Sequence, residues 1–115
     1  MVILFTALAL GETVAMRDLV ISDGLYYKRS AEVPFSGEVA GRYQGRVKEG
    51  KEDGPWAWYR EDGQLKKEGM FKDGKKDGPS IGWFGNGKKR VEVNYKDGQQ
   101  QGIRRNWYEN GKEKS

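Results

Sequence analysis

Residues 48–71 read KEGKEDGPWAWYREDGQLKKEGMF, residues 72–95 read KDGKKDGPSIGWFGNGKKRVEVNY, and residues 96–115 read KDGQQQGIRRNWYENGKEKS. The three stretches align without a gap. Gly50, Gly74 and Gly98 are spaced 24 residues apart, as are Gly54, Gly78 and Gly102, and again Gly63, Gly87 and Gly111. A fixed period of this length marks a structural repeat. Within each copy the period is two. In copy two, Val91, Val93 and Tyr95 fall on one face, and Arg90, Glu92 and Asn94 on the other. Copy one does the same, with Leu65, Lys67, Gly69 and Phe71 against Lys66, Glu68 and Met70. Such alternation is the signature of half-buried strands.

The glycines punctuate those strands. Asp62-Gly63, Asn86-Gly87 and Asn110-Gly111 are dipeptides that accept the positive φ of tight primed turns. Asp73-Gly74-Lys75-Lys76-Asp77-Gly78 and its counterparts read as a longer loop. Each copy is then one β-hairpin, with strands expected near 55–60, 64–72, 79–84, 88–96 and 103–108. The fold class is all-β: an antiparallel meander of repeated β-hairpins in a single-layer twisted sheet. Tyr59, Trp83 and Trp107 occupy one equivalent position and are expected to stack as a ladder, helped by Phe71, Val91, Val93 and Tyr95. Trp56, Trp58, Phe84 and Tyr108 lie on the opposite face by parity.

Working outward, residues 16–47 read as a degenerate N-terminal capping unit. Asp23-Gly24-Leu25-Tyr26-Tyr27 resembles a hairpin start, and Gly45 lies 24 before Gly69. Terminal repeats are usually atypical because they have one neighbour. Met1–Leu10, MVILFTALAL, is uncharged and too short to span a bilayer. It suits the apolar region of a signal peptide over residues 1–15, with small residues at Ala7, Ala9, Thr13 and Ala15, although no basic residue precedes it. The expectation is an exported protein, periplasmic or extracellular; without a working signal it is cytoplasmic.

Composition narrows function. The 115 residues hold 17 Gly but only 3 Pro, and neither Cys nor His. Disulfides, thiolate nucleophiles and the commonest neutral-pH base and metal ligand are thereby excluded. Twenty-one basic residues against 17 acidic ones give a formal charge of +4, with both signs interspersed. The acidic residues Asp53, Glu61, Asp73, Asp77 and Asp97 fall in expected turns, where Asp before Gly is a turn requirement. Glu68 and Glu92 occupy one equivalent position, next to Lys66 and Arg90, as a solvated charge ladder would. No Ca²⁺ loop or phosphate loop is present. The chain therefore reads as no enzyme, with no catalytic residue, no metal and no cofactor.

The pattern from Gly54 to Lys66, GPWAWYREDGQLK, followed by Phe71–Gly78, FKDGKKDG, resembles the MORN-repeat variant found in many bacterial proteins, often YwqK-family antitoxins of toxin–antitoxin pairs. The resemblance covers residues 44–115, with departures at Ser80, Ile81 and Gly82 and at Gln101 and Arg104. It implies the hairpin array and an interaction module, with a toxin as one candidate partner. The candidate partner-binding residues are Trp56, Trp58, Phe84, Tyr108 and Arg104. A protein partner is expected first, and a glycan or an anionic membrane surface second. The basic bias of Lys75, Lys76, Lys88, Lys89, Arg90, Arg104 and Arg105 fits an acidic partner or anionic lipid, while export disfavours nucleic acid. An edge-paired dimer is compatible with the open last hairpin, and the sequence leaves the oligomeric state undetermined.

Overall fold

The structure, a computed structural model, describes residues 12–115. The leader segment read in the sequence lies outside the described residues up to position 11. Its last four residues, Glu12–Ala15, form strand β1. The remaining strands are β2 (Leu19–Ser22), β3 (Leu25–Lys28), β4 (Gly37–Ala40), β5 (Tyr43–Lys48), β6 (Lys51–Tyr59), β7 (Leu65–Lys72), β8 (Lys75–Trp83), β9 (Lys89–Lys96) and β10 (Gln99–Asn106). Eight of them form one sheet in the order β1-β4-β5-β6-β7-β8-β9-β10, antiparallel except for the β1–β4 pair. The hairpin β2–β3 forms a separate two-stranded sheet. The chain is all-β, a meander of hairpins in one open layer with the β2–β3 hairpin beside it, and its overall extents are 59 × 31 × 25 Å.

The two kinds of turn exchange roles relative to the sequence reading. Asp73 and Gly74 both have positive φ, 50° and 80°, and so do Asp97 and Gly98, 50° and 85°. These are two-residue type I′ turns, the connection whose twist matches the strands. Strand β8 therefore begins at Lys75, and the Asp73–Gly78 segment is not a long loop. At Asp62-Gly63 only the glycine has positive φ. Arg60 N–H donates to the Gln64 carbonyl at 2.8 Å and Gly63 N–H to the Arg60 carbonyl at 2.9 Å. That is a three-residue loop, a turn closed by a left-handed glycine. The Asp62 carboxylate accepts from Gln64 N–H at 3.0 Å, and Asn86 and Asn110 do the same for Lys88 and Lys112, each at 2.9 Å.

The second phased glycine, in Gly54, Gly78 and Gly102, marks a wide bulge. Asp53-Gly54-Pro55-Trp56-Ala57 spans what Arg46-Gly45-Gln44 spans on β5, so three residues oppose Gly45. The same irregularity recurs opposite Met70 and opposite Val93. Bulges bend a strand and sharpen its twist. Here they also bring each type I′ turn beside the previous hairpin. Gly74 N–H donates to the Glu52 carbonyl at 3.0 Å and Gly98 N–H to that of Lys76 at 2.8 Å.

For the β5–β6 turn, the segment around Phe35 takes the place that the previous repeat hairpin holds for the later turns. Gly50 N–H donates to the Phe35 carbonyl at 2.7 Å, and Tyr26 N–H to the Gly50 carbonyl at 2.8 Å. The β2–β3 hairpin thereby folds over one sheet face. The core lies between them: Leu19, Phe35, Val39, Val47 and Trp56 are buried, with Tyr26, Trp58 and Phe71 packed alongside.

Candidate functional site

Strand register divides the side chains between two faces. Opposed residues across the sheet run Tyr43, Trp58, Lys67, Gly82, Val91, Asn106 on one face. The neighbouring row is Trp56, Gly69, Ser80, Val93, with Arg104 beyond. The opposite face carries Gln44, Ala57, Glu68, Ile81, Glu92 and Arg105. The first face is the one that the β2–β3 hairpin covers at its N-terminal half, and its other half is open.

Trp56 belongs to the covered half. It is 2% exposed, so it cannot anchor a partner as the sequence reading expected. Its indole lies over Gly45, where a Cβ would collide with the ring, and its Nε1–H donates to the Arg46 carbonyl at 3.1 Å. Trp56, Trp58 and Phe71 form one aromatic cluster, with ring centroids 6.3–6.5 Å apart. The expected Tyr59–Trp83–Trp107 ladder does not stack. Those residues sit on β6, at the end of β8 and just past β10, alternate strands about 10 Å apart. Leu65 and Lys89 intervene in register, and Lys89 lies over the Trp107 ring at 5.3 Å.

The remaining expected site residues do not converge. Phe84 opens the turn after β8, its N–H donating to the Lys88 carbonyl at 2.8 Å. Tyr108, in the equivalent place on the next hairpin, is 54% exposed with the Lys114 ammonium 5.1 Å above it. Trp58 and Arg104 share the first face but lie four strands apart, on β6 and β10. Glu68 and Glu92 are separated by the strand of Ile81, about 10 Å, and Glu92 pairs with Lys89 at 3.2 Å.

What the open half does gather is positive charge on an aromatic and aliphatic floor. A recess of about 130 Å³ is lined by Lys67, Lys76, Arg90 and Arg104 around Ser80, Val93 and Tyr95. A second, of about 360 Å³, continues it past Lys67 and Arg90 to Arg42, Lys66, Tyr43 and Trp58. No carboxylate lines either recess. The Lys67 ammonium sits 5.1 Å above the Trp58 ring and that of Lys76 4.8 Å above Tyr95. Burial first, then the charges of Lys76, Arg90 and Lys66, push the Lys67 ammonium below the usual lysine pKa. Arg90 stands opposite Val91 by simple alternation, but a one-residue irregularity between Trp83 and Gly82 relaxes that parity. A Cβ at Gly82 would meet Val91 Cγ1 at 3.0 Å and the Arg90 guanidinium at 3.1 Å, so the glycine lets both side chains approach the strand.

The two faces differ in how their cations are paired. On the second face Arg46 faces Asp53 at 4.0 Å, Lys89 meets Glu92, and Arg105 makes a two-pronged contact to Glu113 at 2.8 and 3.0 Å. Among the described residues, Lys67, Lys76, Arg90 and Arg104 form no ion pair. Sequence reasoning missed Lys67, Ser80 and Tyr95 as site residues. Their signal was the repeat register, which sets Lys67 opposite Trp58 and Ser80 opposite Val93.

Compared with protein families, residues 52–73 and 76–97 match the MORN repeat variant. These are the β6–β7 and β8–β9 hairpins, so the middle of the chain is similar to MORN-variant repeats. Comparison with curated proteins and with solved structures returned no match.

Proposed function

We propose that the chain is a non-catalytic protein-interaction module and that its docking surface is the open half of the first sheet face. One observation carries this reading: four cations line one recess without a carboxylate among them, and two of the four, Lys67 and Lys76, are half-buried over aromatic rings. Unpaired, partly buried charge costs stability, and a partner that supplies the counter-charge offsets that cost. The other half of the face is closed by the β2–β3 hairpin, which leaves one direction of approach. Within this reading, the antitoxin resemblance makes a toxin the first partner to test. The uncharged Met1–Leu10 stretch makes the cell envelope the compartment in which to look.

The test is affinity purification from the native host with the tagged chain and with Tyr43→Ala and Tyr95→Ala variants. A partner retained by the parent chain and lost from both variants is the expected outcome. Equal retention by all three would place docking elsewhere and overturn the assignment of this face.

A further inference from the structure

Resting on that reading, we infer that the site takes an acidic polypeptide segment, one of whose carboxylates sits over Ser80 between Lys67, Lys76, Arg90 and Arg104. Charge complementarity selects an anion. The ring geometry then selects among anions. A single-stranded nucleic acid or a glycan binds by stacking on free aromatic faces. Here the Trp58 and Tyr95 faces already carry the ammonium groups of Lys67 and Lys76. Those rings hold cations in place, which preorganises them for charge-assisted hydrogen bonds. A planar lipid surface meets protruding cations. These four instead line a recess whose floor includes Val93, 4% exposed. A side-chain carboxylate on an extended chain can enter it.

The small recess has room for one oxyanion, and the Ser80 hydroxyl is among the donors that line it. The larger recess shares Lys67 and Arg90 with it and adds Arg42 and Lys66. Two adjoining cationic recesses suit successive acidic side chains on one face of an extended segment. Ser80 also explains the departure of copy two from the aromatic pattern. It occupies the position that holds Trp56 in copy one and Arg104 in copy three, so the floor opens where an indole would fill it.

The experiment is calorimetric titration of the full chain with a Glu-rich peptide, its Gln-substituted counterpart, and vesicles of anionic lipid. Saturable binding of the Glu peptide, weakening steeply as salt rises, is expected, with none for the Gln peptide. Lys67→Gln/Arg104→Gln should weaken it at least about tenfold, as loss of charged hydrogen-bond partners does. Lys72→Gln/Lys96→Gln removes the same charge from the other face and should leave affinity within about twofold. Equal weakening by both pairs, no binding at low salt, or retention on vesicles without peptide binding would overturn the inference. A host partner retained equally by the parent and by Lys67→Gln/Arg104→Gln would also overturn it, while leaving the module reading intact.

Discussion

The packing of Trp56 on Gly45 gives the sharpest stability prediction. Trp56 is the largest side chain in the core and is 2% exposed. Trp56→Ala removes an indole from a site walled by Leu19, Phe35, Val39 and Val47, and it frees the Arg46 carbonyl from its 3.1 Å bond. Large-to-small core changes of this kind cost about 3–5 kcal/mol. That is a large share of the ~5–15 kcal/mol that holds an ordinary domain together. Gly45→Ala attacks the same contact from the other side, because its Cβ would enter the ring, and overpacking costs about 1–3 kcal/mol. The two changes should not add. In the Trp56→Ala background the ring is gone, and Gly45→Ala should cost nearly nothing, a coupling of about 1–3 kcal/mol. Urea melts followed by far-ultraviolet circular dichroism measure all four chains. Additive losses, or a Trp56→Ala cost below about 1 kcal/mol, would refute the placement of Trp56 as the sheet's central core residue.

Three further predictions use the same melts. Gly74→Ala forces a Cβ onto a φ of 80° and should cost about 1 kcal/mol or more, whereas Gly85→Ala, where an added Cβ meets nothing within 4 Å, should be neutral or stabilising. The Tyr26 phenol is pushed above its usual pKa by burial first and by Glu52 second, so its contribution is complete below the ordinary tyrosine value near pH 10 and is lost as pH rises through the raised one. Tyr26→Phe should flatten that alkaline decline, and an unchanged decline would contradict it. Lys67→Gln should change stability by no more than about 0.5 kcal/mol, since relief from burial and from the Lys76 and Arg90 charges offsets the lost ring contact, while acidic-peptide affinity falls. A Lys67 whose folded pKa is depressed also makes the parent chain gain stability as pH rises from that value towards the ordinary lysine pKa; Lys67→Gln should remove this gain.

Much of the fold was legible because glycine and aromatic spacing report directly on strands and turns. The period of 24 located the hairpins, and Gly45, placed by that period, proved to be the seat of Trp56. What misled was turn chemistry. Asp-Gly suits both a type I′ turn and a bulged loop, and only the pairing partner decides. Asp73-Gly74 takes the first form because the bulge at Gly78 absorbs the extra residues that a long loop would have held. Separate one-residue bulges at Lys66 and Arg90 upset simple parity. They shift Leu65 onto the face of Tyr59 and release Arg90 from the face opposite Val91, so alternation alone could not assemble the cationic recess. The site was less legible for a second reason. Trp56 and Trp58 look like exposed anchors in a repeat with an open face, and their cover comes from Leu19, Tyr26 and Phe35, whose segment keeps no phase with the repeats. Charge counting diluted the remaining signal, because the acidic residues that balance the basic ones lie on the opposite face, in the turns and, at Glu52, under the β2–β3 hairpin.

Whether the open half of one sheet face receives an acidic segment can be read residue by residue from a proton–nitrogen correlation titration of the full chain with the Glu-rich peptide. Shifts should concentrate at Lys67, Lys76, Ser80, Gly82, Val91, Tyr95 and Arg104, with Ala57, Glu68, Ile81 and Glu92 little changed. Shifts gathered on that second set, or spread evenly over both faces, would contradict docking there.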